Sequence, residues 1–452
     1  MPDRHDSVMR ALAVALLVVV GCSPAGQSVI SPSPAASPPT AAPTGSPVAI
    51  AGPVVELRSS VARQPIDAAT PEQLAQLVAA DANFALRLYR QIVSTERGNV
   101  FISPYSISTA LSMAYAGARG NTAQEMADVM GIWPDADAWH AARNRLDLEL
   151  AAAAARDWPG EGEVTPLTLE PVNTFFGQAD FPFEPSFLDV LAASYGAGMN
   201  TVDFANDTEA ARLAINAWVA ERTHDRIEEL LAQGDLTILT RFVLVNAIYF
   251  KASWIRKFNP DQTRTEPFQL LGGTSADVPM MHTNQKFEYA SGEGWQAVRV
   301  PYFGASMVIV VPDAGRFSDV EATVDGDFLA VLSAQMSEAM VDLGLPRWES
   351  ESRFDLLDNL GRMGIVDLFD PDAADLSGVA DTRQLYVSHV IHQANVTVDE
   401  NGTEAAAATA IVGDEVSAPN RYVTLTIDRP FLYFIQDNTT GEILFLGRTL
   451  TP

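Results

Sequence analysis

The chain has 452 residues, 57 of them acidic and 29 basic, for a net charge of −28. So negative a molecule repels phosphate backbones, which excludes nucleic-acid binding as its main role, and it has no long basic run for docking on polyanions. An apolar share of 47% is ample for a packed core, either in about two or three average domains or in one large domain.

The chain opens with a short polar stretch holding Arg4 and Arg10, and then an unbroken apolar run from Ala11 to Val20. That run is too short to span a bilayer as a permanent helix but suits a secretory signal over residues 1–21. Val19-Val20-Gly21-Cys22 follows and resembles the lipobox of bacterial lipoproteins, in which the cysteine after the cut carries lipid. Cys22 is the single cysteine, so no disulfide forms within the molecule. The expectation is a secreted protein, lipid-anchored through Cys22 to the bacterial cell envelope on its extracellular face. From Ser23 to Val54 there is no charge, and 8 of the 32 positions are proline. Such a segment builds no core and reads as a semi-extended tether of about 100 Å, at about 3.1 Å per residue. The expected organisation is therefore a linker over residues 22–60 and one folded domain over residues 61–452.

Within the domain, apolar residues at three- and four-residue spacing predict a helix from Pro71 to Val93. Ser103-Pro104 opens a second helix, with Ile107, Leu111 and Met113 on its apolar face, and a third is expected from Thr208 to Ala232. Phe242 to Phe250 is apolar throughout except for Asn246, the pattern of a strand buried on both faces. Further strands are expected at Met307–Val311, Val341–Leu345, Tyr386–Ile391, Val423–Ile427, Leu432–Gln436 and Ile443–Gly447. The last two flank the hairpin turn Asp437-Asn438-Thr439-Thr440-Gly441. Helices come mainly first and strands later, which makes the class α+β with large mixed sheets.

No catalytic or phosphate-binding motif occurs, and the chain is read as neither an enzyme nor a cofactor or metal binder. His389 and His392 lie three apart on an expected strand and so point to opposite faces, a poor arrangement for a shared metal. The segment Asp399-Glu400-Asn401-Gly402-Thr403-Glu404, followed by Ala405 to Ala408, carries conflicting signals. Alanine favours helix, yet Asn395-Val396-Thr397-Val398 before it alternates like a strand. After it, Gly413 to Pro419 reads as an exposed loop.

Several motifs in this order resemble the serpin family over Pro71 to Pro452. They are Asn99-Val100-Phe101-Ile102-Ser103-Pro104-Tyr105-Ser106-Ile107, Gly120-Asn121-Thr122-Ala123-Gln124-Glu125-Met126, Val245-Asn246-Ala247-Ile248-Tyr249-Phe250-Lys251 through Trp254, Ala374-Asp375-Leu376-Ser377-Gly378, and Asp428-Arg429-Pro430-Phe431-Leu432. The resemblance implies three sheets, about nine helices and an exposed reactive loop near the C-terminus. It implies a suicide inhibitor: a target protease cuts the loop, forms an acyl-enzyme, and is trapped when the loop inserts into the central sheet. The implied partner is a serine protease, with cysteine proteases as a second class, and the inhibitor is expected to be a monomer. By the same resemblance Glu400, Gly402, Thr403, Ala405, Ala406, Ala407 and Ala408 form the hinge of the loop. Ser103, Ser106, Asn246 and His392 match the polar "shutter" beneath the sheet, and Trp254 matches the aromatic at the "breach" where the loop enters.

The hinge composition suits insertion on physical grounds. Thr403, Ala405, Ala407 and Thr409 form one alternating set, small and uncharged, that could face a core, whereas Glu404 falls in the other set. A slip of one residue would bury Glu404 at a cost of several kcal/mol. Counting from Glu400, the family's spacing puts the scissile bond at Val416-Ser417, which suits an elastase-like protease. Because the loop is about three residues longer than in many relatives, Glu415 is the alternative position. The stretch Thr122 to Ala151, aligned with the family's heparin-binding helix, is acid-rich, which argues against heparin activation. The second functional class is a non-inhibitory surface lipoprotein of the same fold, acting by binding or as structure.

Overall fold

The structure is a computed structural model that describes residues 54–159, 164, 167–382, 385–403 and 421–452. Among these are nine α-helices: α1 Pro71–Thr95, α2 Pro104–Gly117, α3 Gly120–Met130, α4 Ala136–Ala154, α5 Pro185–Tyr195, α6 Thr208–Arg222, α7 Phe317–Thr323, α8 Gly326–Gln335 and α9 Leu357–Met363. The strands up to the middle of the chain are β1 Val55–Leu57, β2 Val100–Ile102, β3 Thr168–Gln178, β4 Met199–Val202, β5 Phe242–Ser253, β6 Arg264–Gln269, β7 Ser275–Gly292 and β8 Trp295–Pro301. Those that follow are β9 Ala305–Pro312, β10 Ser337–Pro346, β11 Trp348–Asp355, β12 Val390–Asp399, β13 Gly402–Thr403, β14 Tyr422–Thr426, β15 Phe431–Asp437 and β16 Ile443–Thr449.

Helix α1 starts at a reciprocal cap: Thr70 Oγ1 accepts from the Gln73 amide at 3.2 Å, and Gln73 Oε1 accepts from the Thr70 amide at 2.7 Å. It turns Leu77, Phe84, Leu88, Tyr89 and Ile92 into the core. Helix α2 is buried on nearly every side, which explains its unbroken run of small and apolar residues. Its cap, Ser103, is fully buried.

The strands form two hydrogen-bonded networks. One has seven strands in the order β1-β4-β3-β5-β13-β12-β11, and the other has nine, in the order β14-β10-β7-β8-β9-β15-β16-β2 with β6 on β7. The three sheets expected from the resemblance are thus joined into two. The join is the 18-residue β7, whose start pairs with β6, whose middle pairs with β10 and whose end pairs with β8.

Three boundaries differ from the sequence reading. The fold begins before residue 61, because Val55–Leu57 adds an edge strand to β4. Ser59 donates to Asp189, and Arg63 reaches Asn144 at 2.8 Å. The third helix stops at Arg222 instead of Ala232. The Thr223 hydroxyl bonds back to the Val219 carbonyl at 2.9 Å, and His224 and Asp225 adopt left-handed φ values of 53° and 59°. Apolar periodicity continues past that break because Ile227, Leu230 and Leu231 fill the same small core as α6, with Val172, Phe176, Val243, Val245 and Ile391 of the sheet. Finally, the strand expected at Tyr386 begins only at Val390, and residues 385–389 are irregular.

Candidate functional site

Strands β5 and β12 run parallel and pair directly over only four positions, from Leu244↔Val390 to Ala247↔Gln393. Beyond that seam the chain reverses after β12, and Gly402 and Thr403 come back between the two strands. They pair antiparallel with Asp399 and Val398 on one side and with Ser253 and Ala252 on the other. Gly402 and Thr403, the start of the expected hinge, therefore occupy the mouth of the slot between β5 and β12.

The reversal is held from several directions. Three successive carbonyls of the turn accept hydrogen bonds from one segment: Asp399 from Trp254 Nε1 at 2.9 Å, Glu400 from the Phe258 amide at 3.0 Å, and Asn401 from the Trp254 amide at 2.9 Å. Trp254 is fully buried and stacks on Tyr302 at 4.1 Å. The Tyr302 hydroxyl lies 2.8 Å from that of Thr403, whose side chain is buried on the core side of the sheet. At Gly402 the backbone has φ 142°, and a Cβ there would lie 2.2 Å from the Ala252 carbonyl, so only glycine fits. The Glu400 carboxylate is buried and takes hydrogen bonds from Arg347 Nε at 2.9 and 2.8 Å, from Arg347 Nη2 at 2.5 Å and from Thr263. Burial alone would raise its pKa, but the hydrogen bonds from Arg347 and Thr263 outweigh that and hold it below the ordinary glutamate value.

At the closed seam the four expected polar residues come together. The Ser103 amide donates to His392 Nε2 at 3.1 Å, so that nitrogen must be the acceptor and Nδ1 carries the proton. Nδ1 in turn donates to Asn246 Oδ1. The Asn246 amide is then free to donate to Ser106 Oγ at 2.8 Å and to Asn173 Oδ1 at 2.6 Å, and Ser106 Oγ also donates to Asn173 Oδ1 at 2.8 Å. Ser103 Oγ donates to the Leu444 carbonyl at 2.7 Å, which ties the cluster to the second strand network. Burial pushes the His392 pKa down to about 3, so the ring is neutral at ordinary pH. His389 belongs to none of this; it stands outside the strand, with Nδ1 2.8 Å from Asp355.

The segment 223–241, between α6 and β5, runs over the same seam. On one side His224 Nε2 lies 2.8 Å from Glu170 of β3. On the other, Asn395 of β12 donates to the Arg226 carbonyl at 3.0 Å. Arg353 of β11 donates to the Leu230 carbonyl at 2.7 Å and pairs with Asp235 at 2.6 Å. This strap links the strands on either side of the slot.

Of the expected site residues, Ser103, Ser106, Asn246, His392, Trp254, Glu400, Gly402 and Thr403 are thus gathered along one seam. Ala405, Ala406, Ala407 and Ala408, Glu415, Val416 and Ser417, and Cys22 lie outside the described residues. Sequence reading missed Asn173, Tyr302, Thr263 and Arg347. Asn173 carries a signal, being a polar residue in a run that faces Asn246 directly across β3 and β5; the other three become visible only in three dimensions.

A family model described as serpin (serine protease inhibitor) matches residues 79–452. The chain is 37% identical to the leukocyte elastase inhibitor of Xenopus tropicalis over 83% of its own length and 99% of that protein's. It is 35% identical to antithrombin-III of Mus musculus, over 86% of this chain and 84% of that one. Its fold is similar to uncleaved ovalbumin, with a TM-score of 0.74, 26% identity, and coverage of 83% of this chain and 100% of ovalbumin. On the family match and these identities, the chain belongs to the serpin family.

Proposed function

We propose that this protein is an irreversible suicide-substrate inhibitor of serine proteases, which traps its target by inserting the cut loop between β5 and β12. The observation that carries the reading is the antiparallel seating of Gly402 and Thr403 between those strands. Were the strand continued in register after cleavage, the next core-facing positions would be Ala405 and Ala407, which are small enough to pass over a packed interior. Insertion exchanges a short parallel pairing for two antiparallel ones, which are the more stable kind per residue. The loop is withheld from that gain until it is cut, so the active form is held kinetically.

The target is an elastase-like protease attacking Val416-Ser417, with Glu415 the second choice. Relatives named as inhibitors of leukocyte elastase support that class. The inhibitor is a monomer, secreted and anchored by lipid on Cys22 to the outer face of a bacterial envelope, with the tether carrying the domain away from the membrane. Mass spectrometry of the N-terminal peptide, with Cys22→Ser as control, tests the anchor.

Mixing the protein with pancreatic elastase and separating the products under denaturing conditions tests the inhibition. A stable complex near the summed mass is expected, with release of a C-terminal fragment beginning at Ser417. Clean cleavage without complex, across proteases of several specificities, overturns the reading in favour of a non-inhibitory binding role.

A further inference from the structure

Glu442 sits at the end of the turn joining β15 to β16 and is fully buried, and neither of its carboxylate oxygens has a hydrogen-bond partner among the described residues. Charged and polar groups of four elements lie within electrostatic reach of it. Asp81 of α1 is paired with Arg143 of α4, with Nη1 at 2.5 Å from Oδ2. Tyr105 of α2 donates its hydroxyl to Asp147 of α4 at 3.1 Å. Asp437 of β15 spends one oxygen on the turn, accepting from the Thr439 amide at 2.9 Å, the Thr440 amide at 2.6 Å and the Thr440 hydroxyl at 2.8 Å. Its other oxygen is buried without a partner.

Arg143 is the cation of this cluster, and its charge is already matched by Asp81. An ionised Glu442 would thus be a buried anion near two other carboxylates, with no hydrogen-bond partner among the described residues, a costly arrangement for a carboxylate. We propose that Glu442 is a built-in proton site, carried in the native fold as the neutral acid and tying the stability of the fold to pH on the alkaline side. As an acid it offers a donor where the cluster has spare acceptors. Burial first, and then the charges of Asp81 and Asp437, push its carboxyl well above the usual range, against the pull of Arg143.

The sign follows from proton counting. Below the unfolded-state glutamate pKa both states are protonated and the site is neutral in effect. Above it the native state keeps a proton that the unfolded chain has lost, so stability falls as pH rises until the native carboxyl itself ionises.

The test compares Glu442→Gln with the unchanged full chain in chemical unfolding from pH 5 to pH 9. The folded-to-unfolded ratio of the unchanged chain should fall relative to the variant, by up to about tenfold per pH unit. A constant ratio across that range overturns the proposal. In parallel, the unchanged chain carrying carbon-13 at the glutamate carboxyls should show one resonance at the protonated shift at pH 7. Its absence overturns the proposal even if the variant fails to fold.

Discussion

Replacing Thr403 with arginine puts a long cation where a buried hydroxyl now meets Tyr302 at 2.8 Å, at a cost of several kcal/mol if the strand is to stay seated. The expected result is an unchanged circular dichroism spectrum, with the stable protease complex reduced more than tenfold and cleaved product in its place. Retained complex formation would refute the inward orientation of the alternate set. A second residue-scale expectation concerns Glu400. Its carboxyl is held below the ordinary value, so its contribution is fully present above the unfolded glutamate pKa of about 4.3 and is lost as pH falls through the lower native one. Limited proteolysis near the hinge should be equal at pH 7 and pH 5.5 and rise in stronger acid, whereas Glu400→Gln should already be susceptible at neutral pH. At this scale part was legible in the chain: a lone asparagine in an apolar strand, and Gly402 where the chain folds inward, announce their environment. Arg347, Thr263 and Tyr302 announce nothing, because a side chain that closes a site from a distant strand carries no local pattern.

Among the elements, the strap at 223–241 is the part the sequence concealed. Its apolar spacing imitates a helix, because its leucines are buried by α6 and the sheet, and burial is what periodicity reports. The capping role of Thr223 and the left-handed backbone at His224 and Asp225 set the true ending. Histidine and aspartate are among the non-glycine residues that tolerate such a conformation best, yet they adopt it in only a small share of cases, so neither marks a helix end by itself. The strap bridges both sides of the slot, so loosening it should lower the barrier to strand entry. Arg353→Met removes its bonds to the Leu230 carbonyl and to Asp235 while keeping most of the side-chain bulk. Expected consequences are fewer inhibitor molecules consumed per protease trapped and a half-life of the uncut active form shortened several-fold at 37 °C. Both are read from titrations against the protease before and after incubation. The splicing of two sheets by β7 was equally hidden, since a long alternating strand looks the same whether it has one set of partners or three.

For the molecule as a whole, loop cleavage should raise stability instead of lowering it, because the freed strand completes the sheet. The thermal midpoint of protein cut within the loop is expected to exceed that of uncut protein by several degrees or more, each added kcal/mol being worth about 1 °C in a domain of nearly 400 residues. An unchanged or lower midpoint would mean the strand stays out. The neutral imidazole at the seam has a further consequence. His392 takes up a proton only near pH 3, and the asparagine and serine groups bonded around it do not titrate at all. Acid loosens the clamp at Glu400, and on the proposal above alkali destabilises the fold through Glu442, yet above about pH 3 the bolt between β5 and β12 keeps the same bonds. On the proposed mechanism, the lifetime of an unused molecule is therefore set at this seam by heat: above about pH 3 the bolt is a clock wound by temperature, and it does not read acidity.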